Sequence, residues 1–178
     1  MSDRFPQYSN KVQDKTRLKI ETMMDEVLDG DRKTQMQNFV AWMRENKLTP
    51  SYNSTNKWRV NFKGHHNQVC FLMLSGSREL DAYDFGTWSI RVAYHGNILG
   101  KANDENFDNW LKETTWKNIG KCRRCNNTCP VDGHTIDIFG KEFTFVCGTY
   151  LNIVNPTDDE IVKLKKQLLL IKNCVLCR

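Results

Sequence analysis

The stretch 58-WRVNFKGHHNQVCFLML-74 decides the fold. Trp58, Val60 and Phe62 alternate with Arg59, Asn61 and Lys63 at the period of a half-buried strand. A second apolar run follows beyond Gly64-His65-His66-Asn67. Two such runs joined by a short polar link read as a β-hairpin. A four-residue loop sets Phe62 against Val69, Val60 against Phe71 and Trp58 against Met73, all on one face. Cys70 then falls on the other face. A third strand reads at 87-TWSIRVAY-94, with Trp88, Ile90, Val92 and Tyr94 on one side and 75–86 as the intervening loop.

Upstream the period is helical. Val12, Ile20, Met23, Met24, Val27 and Leu28 predict a helix over 9–29, with Gly30 as its stop. Met36, Phe39, Val40 and Met43 predict another over 32–46, and Pro50 closes that region. Downstream, 104–116 reads as a helix with Phe107, Trp110 and Leu111 inward. The stretch 134-HTIDIFGKEFTFVC-147 reads as a second hairpin with Gly140-Lys141 as a glycine-first turn. That register pairs Ile138 with Phe143, Ile136 with Phe145, and His134 with Cys147. The last element is a helix opened by the capping box Thr157-x-x-Glu160 and carrying Ile161, Leu164, Leu168, Ile171 and Val175 as a stripe.

These elements imply an α+β fold: two N-terminal helices, an antiparallel sheet of about five strands, a cysteine-rich knuckle with its hairpin, and a C-terminal helix. At 178 residues the chain reads as one domain. Its segments are a helical pair over 1–50, a meander sheet and helix over 57–117, the knuckle and hairpin over 118–148, and the helix over 155–177.

The chemistry concentrates in 121-KCRRCNNTCPVDGH-134. Cys122 and Cys125 stand in a C-x2-C turn, and Cys129 follows. Zinc takes four tetrahedral ligands and favours thiolates. Lys121, Arg123 and Arg124 favour ionised sulfur. The hairpin register supplies the fourth ligand: Cys147, with His134 as its alternative. A structural zinc site of Cys122, Cys125, Cys129 and Cys147 is therefore expected.

Other readings use the same residues. An iron–sulfur cluster echoes the C-x2-C-x3-C-P spacing. Cys174 and Cys177 lie three apart on the last helix, either as a redox pair or as ligands joining Cys122 and Cys125. His134 beside Cys147 has the elements of a nucleophilic site. Trp58 and Trp88, on neighbouring strands, form a possible ligand pocket for a small planar molecule.

Composition narrows the classes. The chain shows no apolar run long enough to span a bilayer and no signal-peptide core, so no membrane partner is expected. Seven cysteines without a secretory signal point to the reducing cytoplasm, and zinc as cofactor suits them better than disulfides. Net charge is +5, yet residues 1–89 carry 13 basic and 11 acidic side chains and residues 90–178 carry 13 and 10. That evenness argues against a nucleic-acid binder, which gathers its basic charge on one face. No phosphate loop, G-x-S-x-G or H-E-x-x-H occurs. The leading functional reading is a binding or sensing module with a structural zinc site and a small-ligand or protein partner. A thiol-redox or metal-dependent enzyme comes second, and an adaptor using the basic knuckle third.

The C-terminal third also resembles small uncharacterised bacterial proteins. The residues that carry this are Cys122, Cys125, Cys129 and Pro130, the run Phe139 to Phe143 with Val146 and Cys147, and Asn155-Pro156. The N-terminal part is similar in outline to domains of unknown function built as helices followed by an antiparallel sheet. The resemblance implies an intracellular bacterial protein and supplies no activity.

Overall fold

The computed structural model describes residues 10–62, 68–75, 86–94, 109–118, 134–146 and 149–176. Through them run the helices α1 (Asn10–Thr16), α2 (Ile20–Val27), α3 (Gly30–Glu45), α4 (Asn109–Asn118) and α5 (Asp158–Leu176). The strands are β1 (Leu48–Ser54), β2 (Lys57–Phe62), β3 (Gln68–Leu74), β4 (Trp88–Tyr94), β5 (His134–Ile138), β6 (Lys141–Val146) and β7 (Thr149–Val154). The class is α+β, with an antiparallel five-stranded sheet in the order β1-β2-β3-β4-β7 and the separate ribbon β5-β6. The chain forms two compact units, Met1–Arg91 with Ile153–Val162, and Val92–Asn152 with Lys163–Arg178. They are called units 1 and 2 below.

In unit 1 the helix expected over 9–29 is two helices. It breaks at Arg17, which adopts φ 49° after closing α1 through its amide to the Gln13 carbonyl at 2.8 Å. The sheet uses this break. The Trp58 indole donates to the freed Leu18 carbonyl at 3.0 Å, and the Gln13 side chain accepts the Asn56 amide at 3.0 Å. Both partners lie some 40 residues away in the sequence, so local periodicity carries no sign of them.

Gly30 does not stop α2. It opens α3 at φ 48°, a conformation that costs glycine little, while the Leu28 amide closes α2 onto Met24. The expected stripe holds: Met36, Phe39, Val40 and Met43 are buried on α3, as are Ile20, Met23, Met24 and Val27 on α2. Arg44 bonds Glu21 and Lys33 bonds Asp25 across the α2–α3 pair. Such exposed ion pairs contribute about 1 kcal/mol or less.

The sheet begins one strand earlier than the sequence suggests. Pro50 lies inside β1, paired with Val60. β1 is an edge strand, the place in a sheet where proline is tolerated. The hairpin β2–β3 forms, but one residue out of the expected register: Trp58 opposes Leu72 and Val60 opposes Cys70, with an irregularity after Val60. The reason is burial on both faces of β3. Val69, Cys70, Leu72, Met73 and Leu74 are all at most 1% exposed. An apolar run without alternation cannot state which face is inside. In β4, Trp88, Ile90 and Val92 are buried as expected. The strand end is locked to the residue after β7, since Asn155 donates to the Trp88 carbonyl and its side chain accepts the Trp88 amide.

In unit 2, the expected helix over 104–116 is described only as α4, with Leu111 buried; Phe107 lies outside the described residues. α5 keeps Leu164, Leu168 and Ile171 fully buried. Its capping box forms at the unit 1 end: the Thr157 amide donates to Glu160, and the Glu160 amide donates back to the Thr157 hydroxyl.

Candidate functional site

The hairpin β5–β6 forms the scaffold expected beside the cysteine knuckle, and its turn differs from expectation. The two turn residues are Phe139 and Gly140, at φ 53° and 76°, and Ile138 opposes Lys141. Two successive positive φ values with glycine second are the pattern of a type I′ turn. The Asp137 carboxylate accepts the Gly140 amide at 3.0 Å and selects that turn. A slip of two positions follows. Ile136 opposes Phe143, which keeps the faces but changes the partners. After an irregularity, His134 opposes Val146 rather than Cys147. Cys147, the expected partner, lies outside the described residues and follows Val146 in the sequence.

α4 holds this hairpin. The Trp116 indole donates to the Ile138 carbonyl at 2.8 Å. The Lys141 ammonium stands 5.3 Å from the Trp116 ring and 5.5 Å from the Phe143 ring. Cation–π contacts of this kind contribute about 0.5–1 kcal/mol at exposed sites. Cys122, Cys125, Cys129, Cys147 and Cys177 lie outside the described residues, and Cys174 lies in the last turns of α5. Among the described residues no group of three His, Cys, Asp or Glu side chains stands ready for a metal ion.

The remaining thiol is enclosed by the core. Cys70, fully buried opposite Val60, has its pKa pushed far above the ordinary thiol range by burial. A thiol that stays protonated is a small apolar core residue rather than a nucleophile.

The two tryptophans proposed for a pocket fill core space. Trp58 is 1% exposed, edge-on to Tyr52 at 6.3 Å between centroids, with its indole N–H bonded to Leu18. Trp88 is fully buried and packs on Phe39 at 5.8 Å. Both rings are buried in the core rather than open to solvent.

Unit 2 contains an opening that the sequence did not reveal. Between α4 and α5 lies a groove of about 340 Å³, walled by Trp110, Leu111, Leu169 and Leu170 and edged by Lys163 and Lys166. The Lys163 ammonium sits 5.0 Å from the Trp110 ring centre. Leu169 and Leu170 are half-buried and Lys166 is exposed. In the sequence these leucines stand beside the stripe of Ile161, Leu164, Leu168, Ile171 and Val175 and are not part of it. The run 168-LLLI-171 is apolar around more of the helix than one packed face requires, and that surplus was the available signal.

The charge distribution also changes once the units are known. Unit 1 carries 14 basic and 14 acidic side chains, and unit 2 carries 12 and 7. The whole net charge of +5 therefore belongs to unit 2. α5 produces much of this, with Asp158, Asp159 and Glu160 in its first turn and Lys163, Lys165, Lys166 and Lys172 along its body. No described helix is long and apolar enough to cross a membrane. Comparison of the chain with protein-family models, with curated proteins and with solved structures gives no match in any of the three.

Proposed function

We propose that the protein is a cytoplasmic bacterial binding or sensing module whose knuckle, Cys122, Cys125, Cys129 and Cys147, holds a structural zinc ion. One observation carries the reading. Residues 119–133, with three of the cysteines, join the end of α4 to the start of β5, and Cys147 directly follows the strand residue opposite His134. The loop therefore enters the hairpin at the same end at which Cys147 leaves it. Four thiolates on one ion would clasp that open end to α4, and the Trp116–Ile138 bond already ties the turn end to α4. His134 remains the alternative ligand, one cross-strand position from Cys147. Lys121, Arg123 and Arg124 offset the double negative charge of a four-thiolate zinc site. A closed site of this kind stabilises a fold and leaves no open position for substrate.

The test is metal analysis of chain purified under reducing conditions, with native thiol titration. One zinc per chain is expected, released by chelator with a fall in Tm. Cys122→Ser should lose the metal. Free reaction of the thiols other than the buried Cys70, with no metal bound, would sink the reading. A brown, iron-containing chain would replace zinc by an iron–sulfur cluster, and water bound at an open metal position would indicate an enzyme.

A further inference from the structure

We propose that the groove between α4 and α5 binds a small anionic amphiphile, a carboxylate with an unbranched apolar tail. The inference rests on the reading of the protein as a binding module, and on none of its metal chemistry. Three observations point to this ligand. First, the groove volume of about 340 Å³ lies at the lower end of small-molecule sites, too little for a bulky ligand. Second, the lining changes in order along α5: Lys163 and Lys166 come first, then Gln167, Leu169 and Leu170, then Asn173. Lys163 to Asn173 spans ten residues of helix, about 15 Å. An occupant that matches this gradient carries its charge at one end and apolar length behind it. Third, none of the described lining residues is acidic, and the unit around the groove carries all of the net positive charge. An uncharged lipid would leave Lys163 and Lys166 unused, and a cation would be repelled.

Trp110 and Lys163 define the head end. The ammonium over the indole is held near the ring rather than free in solvent, so a carboxylate there meets a partly ordered cation. Leu169 and Leu170 supply the apolar wall, which gains about fourfold in affinity for each methylene it takes from water.

The probe is decanoate, titrated calorimetrically into the full chain, with octanoate and decanol as comparisons. Saturable binding at one site is expected, with octanoate about fifteenfold weaker because two methylenes are missing. The double variant Lys163→Gln/Lys166→Gln should weaken decanoate about three- to tenfold and leave decanol unchanged, as partly exposed ion pairs imply. Leu170→Glu should remove binding of both. Both lysines are surface residues, so the double variant remains informative if Leu170→Glu fails to fold. No saturable binding of decanoate up to about 1 mM overturns the proposal. So does equal weakening of decanoate and decanol by the lysine variant. A concentration-dependent dimer dissolved by Leu170→Glu would assign the groove to a second copy and overturn it as well. Zinc content is read on the same sample. A zinc-loaded chain that ignores decanoate refutes the groove alone, and a chain that binds decanoate without zinc refutes the metal reading alone.

Discussion

Trp58 and Trp88 in unit 1 and Trp110 in unit 2 sit in opposite surroundings. In unit 1 the tryptophans at 58 and 88 are sealed, one by a hydrogen bond to a broken helix and the other against Phe39. In unit 2 the half-buried Trp110 faces a groove under a lysine, and Leu169 and Leu170 stay half-exposed beside it. Unit 1 is electrically balanced and unit 2 is not. The difference teaches that aromatic content alone does not locate a binding surface. What locates one is apolar area left uncovered next to charge of a single sign.

The contrast can be broken most directly by truncation. Trp88→Ala should cost about 3–5 kcal/mol, the range for large aromatic residues in a closed core. Leu170→Ala should cost less, about 1–2 kcal/mol, because that side chain is only half-buried. Denaturant melts of the two variants check this, and similar losses would erase the distinction between a sealed and an open unit.

Alkaline pH probes the same sealing. Cys70 keeps its proton in the folded chain well above the pH at which an unfolded thiol loses it. A raised folded pKa means that stability is fully present below the unfolded value of 9.0 and is lost as pH rises beyond it. The loss should approach about 1.4 kcal/mol per pH unit. Cys70→Ala, less stable at neutral pH, should lack that slope, and parallel curves for the two chains would show that the thiol is solvated.

Smaller still is the cap of α5. Thr157→Ala should cost about 1 kcal/mol, since the Glu160 amide loses the hydroxyl that accepts it. Thermal melts measure it. An effect near zero would mean that packing of the α5 stripe sets the helix start without the cap.

Much of this architecture was legible in local chemistry. The stripe of α3, the stripe and capping box of α5, the alternation of β2 and β4, and the hairpin at 134–146 all follow from periods and turn residues. The misreadings share a cause. The break after α1 is supported by Trp58 and Asn56, far away in the chain. The register of β2–β3 was hidden because β3 is buried on both faces. The turn of β5–β6 depends on where Asp137 places its carboxylate, and Pro50 is acceptable in β1 only because β1 is an edge.

The cysteine site and the groove are complementary cases. The C-x2-C-x3-C spacing is a covalent property, legible before any folding, and the hairpin adds only that His134 pairs with Val146, the residue before Cys147 in the sequence. The groove has no motif. Its lysines and leucines look like an ordinary amphipathic helix until α4 lies beside them.

By itself, then, the sequence determined the class of the fold, the identity of most elements and a cluster of thiols at metal spacing, because these depend on neighbours within a few residues. Only the tertiary structure decided the strand registers, the sealing of Trp58 and Trp88, the inertness of Cys70, the segregation of charge and the groove. Each of those depends on which distant surfaces meet, and burial and local field are set by that meeting rather than by any residue alone.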